Sequence, residues 1–181
     1  MLPLNGILIV SMEQAVAGPF CSNRLLLAGA RVIKIERKGG GDFARRYDVA
    51  AKGDSSYFIW LNQGKESIGL DLKEKEDKKI FLNIVKKADV FIQNFAPNTM
   101  KKLGLEKKVL KNVNPKLIVC DISGYGSSPL LDGKKSYDLL IQAESGLIDI
   151  SGSPKGIGRI GVSICDIGAG MAAHSSIVES L

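Results

Sequence analysis

Short apolar runs alternate along the chain with longer stretches in which apolar side chains recur every three or four residues. Ile7-Leu8-Ile9-Val10 is a β-branched run of strand type, and Arg31-Val32-Ile33-Lys34-Ile35-Glu36-Arg37 alternates polar and apolar positions at period two. Between them, Ala17 to Ala28 carries Phe20, Leu25, Leu26 and Leu27, with Pro19 tolerable in a first helical turn and Gly29 as a stop. Strand, helix and strand within about 30 residues make a βαβ unit, which requires parallel pairing and a right-handed crossover. The pattern then recurs. Ser67 to Lys73, Asp89 to Gln93 and Leu117 to Ile122 read as further strands. Lys75 to Ala88 predicts an amphipathic helix, with Ile80, Phe81, Ile84, Val85 and Ala88 on one stripe and lysines opposite. Helical stretches around Ser136–Gly146 and Ile167–Leu181 complete the set. The expected fold class is α/β: a Rossmann-like, largely parallel sheet with flanking helices, and ligands beyond the carboxyl ends of its strands.

Those strand ends carry the chemically interesting residues: Glu13 to Pro19, Arg37 to Asp42, Asn94 to Pro97 and Ser123 to Gly126. Glycine there lets backbone approach a ligand and Arg37 can fork onto a phosphate, although each stretch also suits an ordinary turn. Gly156-Ile-Gly158-Arg-Ile-Gly161 matches GxGxxG but precedes a strand-like segment, Val162 to Cys165, so it lacks the order a dinucleotide fingerprint needs. Gly168-Ala-Gly170-Met-Ala-Ala173 opens the last helix, leaving a dinucleotide-dependent oxidoreductase as a minor alternative. Asp166 stands at the start of that helix. From spacing alone it reads first as an N-cap, and the same geometry would keep a carboxylate nucleophile ionised as the lesser alternative. His174 is the sole histidine, and neither GxSxG nor a P-loop occurs, so a serine or cysteine hydrolase lacks its base. His174 reads as a packing or surface residue.

Composition narrows the field. With 45% hydrophobic and 24% charged residues over 181 positions, disorder and fibrous repeats are excluded, and the length fits one domain. Cys21, Cys120 and Cys165 are odd in number and widely spaced, which gives neither a disulfide framework nor a metal motif and suits a reducing cytoplasm. No apolar run approaches the roughly 18 residues that spanning a membrane needs. No Lys or Arg precedes Arg24, and Glu13 interrupts any apolar leader, so no secretory signal is expected. The net charge of +6 comes mostly from lysines between Lys73 and Lys116 on predicted helices. A small polyanion explains that excess as well as nucleic acid does, and zinc-finger spacing and basic-aromatic interleaving are missing.

The ordered segments together resemble the class III CoA-transferases, the family that includes formyl-CoA transferase and the carnitine CoA-transferases. The resemblance rests on Pro3 to Ile7, Ala17-Gly18-Pro19, Gly29 to Glu36, Gly41-Asp42 with Arg45 or Arg46, Asn62 to Lys73, Ala88-Asp89-Val90 with Asn94-Phe95, Gly124-Tyr125-Gly126, Tyr137-Asp138 through Gly146, and Asp166 to Gly170. It implies that CoA passes from an acyl-CoA donor to a small carboxylic acid, with Asp166 as nucleophile and aspartyl anhydride and aspartyl-CoA thioester intermediates.

On the same resemblance CoA contacts fall on Val16, Ala17, Arg37, Leu70, Asp71, Leu72, Lys73, Asn94, Phe95, Ala96, Lys102, Lys135, Ser136, Tyr137 and Asp138. Lys102 stands where the family usually has arginine, which keeps the charge and loses the bidentate fork. Coenzyme A is expected as substrate, with no tightly bound cofactor and no metal. The sister α-methylacyl-CoA racemases carry Gly-His-Asp where this chain has Ser136-Tyr137-Asp138. Tyrosine, with a pKa near 10, is a poor base at neutral pH, so transferase is preferred. Family members are longer, with a small second domain and a return of the chain to the first. Residues 1–181 therefore read as the N-terminal part of the large CoA-binding domain. An inert CoA-binding domain is the other reading, and interlocked homodimers are expected of the full-length protein.

Overall fold

The computed structural model describes residues 1–126, 129–131 and 133–181. The strands are β1 (Leu8–Met12), β2 (Arg31–Glu36), β3 (Glu66–Gly69), β4 (Val90–Gln93) and β5 (Ile118–Asp121). Among them run α1 (Ala17–Leu27), α2 (Ser56–Asn62), α3 (Lys75–Val85), α4 (Thr99–Lys102) and α5 (Lys107–Val113). Then come α6 (Asp138–Glu144), α7 (Leu147–Ile150) and α8 (Ile164–Ser180), with 3-10 turns at Phe43–Arg46 and Pro129–Leu131. These five strands pair in parallel, in the order β3-β2-β1-β4-β5. The α/β, Rossmann-like expectation holds.

Period-two alternation builds both faces of the sheet. Ile9, Val32, Val90 and Ile92 point to one side, where they meet Cys21 and Leu25 of α1 and Ile177 of α8. Val10, Met12, Ile35 and Phe91 point to the other, against Phe81 and Val85 of α3 and Leu110 of α5. Phe81 and Phe91 pack edge to face, their centroids 5.9 Å apart. The central strands are thus covered on both sides, as a parallel sheet requires. Gly29 ends the first crossover at φ +107°, a conformation its Cβ-bearing neighbours avoid, and lets the chain turn directly into β2.

Three local readings are corrected. Val162 to Cys165 is no strand: Ile164 and Cys165 form the first turn of α8, whose N-cap residue is Ser163. Asp166 is therefore not an N-cap but the third helical residue. On α3 the buried stripe is Asp77, Phe81 and Val85, while Ile80 is exposed. α2 went unread because Ser-Tyr-Phe-Ile-Trp-Leu-Asn is rich in aromatic residues of modest helix propensity. Ser55 starts it, its hydroxyl accepting from the Phe58 amide at 3.3 Å.

Candidate active site

The strand order reverses between β1 and β4, so the carboxyl-edge crevice of the sheet opens there. Asn94, just past β4, bridges it. Its side-chain oxygen accepts from the Gln14 amide at 2.8 Å and its amide donates to the Gln14 carbonyl at 2.9 Å. The loop after β1 is thereby clamped from the β4 side. Ala15 in that loop has φ +59°, an uncommon state for a residue with a Cβ, and its amide donates to Asp42 at 3.1 Å.

Beneath the loop lies a buried ionic network that sequence reading missed. Lys34, only 1% exposed on β2, donates to Asp42 and to Asn62, both at 2.7 Å. Lys65 donates to Glu13 at 2.7 Å, to Asn62 at 3.2 Å and to the Pro19 carbonyl at 3.0 Å. Ser22 donates to the same Glu13 oxygen at 2.8 Å, and Lys34 lies 4.0 Å from it. Two ammonium groups thus face two carboxylates. Burial alone would raise Glu13, but Lys65, Lys34 and the Ser22 hydroxyl hold it below the usual carboxylate range. Next to it Glu36 takes the Arg45 fork at 2.6 and 2.9 Å, the Asp42 amide and the Ser67 hydroxyl, each at 2.8 Å. Against the opposing pull of burial, these hold Glu36 at a pKa of about 2. The missed signal was charge at Lys34 and Glu36, inside a strand covered on both faces.

Asp166 enters from the far side of the crevice on α8. Its pKa is pushed up to about 6, first by burial and then by the charge of Asp138. The helix N-terminus does not hold it low, contrary to expectation, because Asp138 occupies the free donors: one of its oxygens accepts from the amides of Cys165 at 2.8 Å and Asp166 at 3.1 Å. Tyr47 is pushed up to about 12 by burial and then by Asp42 and Asp166, with Tyr137 and Tyr57 also close enough to contribute. Asp166, Asp42 at the end of the ionic network, Tyr57 and Tyr137 therefore all lie within electrostatic range of Tyr47.

The other sequence-selected residues fall into separate groups. Val16 and Ala17 are buried at the start of α1. Arg37 is exposed and folds back over its own loop, donating to the Gly41 carbonyl at 3.2 Å. It lies beside the segment after β3, where Leu70 and Leu72 are buried and Asp71 and Lys73 exposed, and the Leu70 amide donates to the Glu36 carbonyl at 2.8 Å. Phe95 packs half-buried on the α3 side of the core and Ala96 is exposed. Lys102 is exposed at the end of α4, and Lys135, Ser136 and Tyr137 are exposed ahead of α6. His174 sits part-buried on α8, its pKa lowered by burial and by Arg24.

The profile of CoA-transferase family III matches residues 4–181. The chain belongs to CoA-transferase family III. The acetyl-CoA:oxalate CoA-transferase of Acetobacter aceti is 39% identical over 183 positions, covering 99% of this chain and 46% of the relative. The human succinyl-CoA:glutarate CoA-transferase is 34% identical, covering 99% of this chain and 41% of the relative. A crystal structure of a CAIB/BAIF family protein from Brucella suis superimposes with a TM-score of 0.92 at 34% identity, over 99% of this chain and 49% of that one. The chain thus spans about half the length of the relatives it matches.

In this family III chain a glycine sets how closely α8 approaches the first turn of α1. A Cβ on Gly170 would stand 2.7 Å from the Ala17 carbonyl oxygen and 3.1 Å from the Phe20 ring. Alanine would gain about 1 kcal/mol of helix propensity and collide with backbone that has no rotamer to yield. Gly170→Ala is expected to cost about 1–3 kcal/mol in urea unfolding, the range of an overpacked core. A variant more stable than the parent would show that the crossing is not this tight.

Proposed function

We propose that this chain supplies the CoA-binding and nucleophilic half of an enzyme that moves CoA from an acyl-CoA donor to a carboxylic acid acceptor. The observation that carries it is Asp166, a part-buried carboxylate at the carboxyl edge of the sheet with a pKa of about 6. At pH 7 about nine-tenths of it is ionised, and it is more basic than an ordinary aspartate, which favours attack on a carbonyl. The printed activities of the relatives, oxalate and glutarate CoA-transferases, suggest small dicarboxylic acids as cargo.

Each bond change balances. The Asp166 carboxylate attacks the donor thioester carbon, the C–S bond breaks, and CoA leaves as thiolate with a mixed anhydride behind it. The thiolate attacks the Asp166 carbonyl of that anhydride, giving an aspartyl-CoA thioester and the free donor acid. The acceptor carboxylate attacks this thioester and expels the thiolate again. The thiolate then takes the acceptor's acyl carbon, and Asp166 returns as carboxylate. Two thioesters are exchanged, so no ATP is needed, and a held CoA makes each return step effectively intramolecular. Val16 and Ala17 at the start of α1, the segment Leu70 to Lys73 and Arg37 are proposed to hold the nucleotide of CoA. The exposed lysines and Arg37 suit its phosphates. In the same reading the full-length protein is a cytoplasmic homodimer, in keeping with its free cysteines.

Incubation with succinyl-CoA or acetyl-CoA and hydroxylamine is expected to convert Asp166 to its hydroxamate, located by peptide mass spectrometry. Asp166 left unmodified while CoA is bound would replace transfer with CoA binding alone.

A further inference from the structure

We propose that Asp138 is the positioning residue for Asp166: it caps α8 from outside, takes the amides that would otherwise serve the nucleophile, and keeps a charge beside it. The role rests on the reading of Asp166 as nucleophile. α8 has no cap of its own, since the Ser163 side chain makes no capping hydrogen bond. One oxygen of Asp138 accepts from the Cys165 and Asp166 amides at 2.8 and 3.1 Å. Its other oxygen accepts from Gln142, one turn on along α6, at 2.6 Å.

Gln142 is 1% exposed, and its own oxygen accepts from the Ile160 amide at 3.0 Å. It thus ties α6 to the segment that leads into α8. Both Asp138 oxygens are engaged within the protein, which leaves the carboxylate no freedom to turn toward CoA.

The consequence is electrostatic. A carboxylate in the first turn of a helix normally gains from the free amides there. Here those amides serve Asp138, and Asp166 meets a like charge instead. Proton affinity and nucleophilicity rise together, and acylation of Asp166 removes the charge that Asp138 repels. Groups on every packed element bear on this. Cys165 is the near neighbour on α8, with its own thiol raised by burial and by both carboxylates. Tyr47 faces Asp166 from the loop after the first 3-10 turn. Arg24 of α1 faces His174, two turns further along α8, and Asp121 of β5 is held by Gln93 at 2.9 Å.

The test uses the full chain and reads two things that need no catalysis. Carboxyl carbon NMR follows the titration of Asp166, its resonance identified by loss in Asp166→Asn, and amide hydrogen exchange follows Cys165 and Asp166. Asp138→Asn keeps an oxygen to accept both amides and removes the charge. The Asp166 midpoint is expected to fall by about half a unit or more while the two amides stay protected. Asp138→Ala is expected to lower the midpoint and to speed exchange of those two amides about tenfold or more, with amides around Ile177 unchanged. A midpoint unmoved in Asp138→Asn, or equal protection in Asp138→Ala, overturns the proposal. If Asp166 is not the nucleophile, the hydroxylamine trap fails while these two readouts hold, so the two failures are told apart.

Discussion

Replacing Asp166 with asparagine is expected to cut CoA exchange by about a thousandfold or more, the scale on which removal of a covalent nucleophile acts. Stability should move the opposite way. The folded pKa of about 6 lies above the ordinary 3.8, so between those values the folded chain binds more protons than the unfolded one. Stability from this group is therefore present at low pH and is lost as pH rises from about 4 through 6. Two units correspond to roughly 3 kcal/mol, and solvent at the partly open site screens some of that, leaving about 1–2 kcal/mol as the penalty at pH 7. Asp166→Asn carries no charge and should escape it. Urea unfolding at pH 7 is expected to show the variant more stable, and the decline in stability of the parent between pH 4 and 6 should flatten. Full exchange activity in the variant would end the nucleophile assignment. Activity and stability lost together would make Asp166 a structural residue. The combination of a dead enzyme and a firmer fold marks a site held strained for chemistry.

The sheet was legible because burial on both faces leaves short β-branched runs that turn signals delimit, and β1, β2, β4 and β5 fall within two residues of where the pattern puts them. The start of α8 was not. Its cap comes from Asp138, 27 residues back, so local sequence shows only Val162 to Cys165, a run that fits a strand as well. Asp166 itself owed its weight as a nucleophile to the family resemblance, since its spacing alone favoured a helix cap. The tuning of its carboxylate was invisible because it depends on a partner from another helix. The ionic network was hidden for a related reason. Lys34 and Glu36 look like the polar half of an alternating strand, and only tertiary packing shows that both faces are covered. Glu13, Asp42 and the pair Asn62 and Lys65 come from three separate stretches that converge there.

Lys34→Met is expected to destabilise the chain by about 3–5 kcal/mol, because methionine fits the stem of lysine and leaves the buried carboxylates one positive charge short. Asp42 loses a 2.7 Å partner, and Glu13 keeps Lys65 and the Ser22 hydroxyl. The damage should reach the site. Asp42 holds the Ala15 amide and caps the 3-10 turn through the Ala44 amide at 2.9 Å, so its loosening frees the loop after β1. Faster hydrogen exchange at Ala15 and weaker CoA binding should accompany the lost stability. Adding Asp42→Asn restores charge balance, keeps an oxygen to accept both amides, and should recover more than half of the loss; the coupling from the double-mutant cycle reports the pair itself. If Lys34→Met alone proved neutral in urea, the network would be a balanced set of dispensable charges. Asp42 and Asn94 would then hold the Ala15 loop without help from Lys34, through the Ala15 amide and the two hydrogen bonds to Gln14.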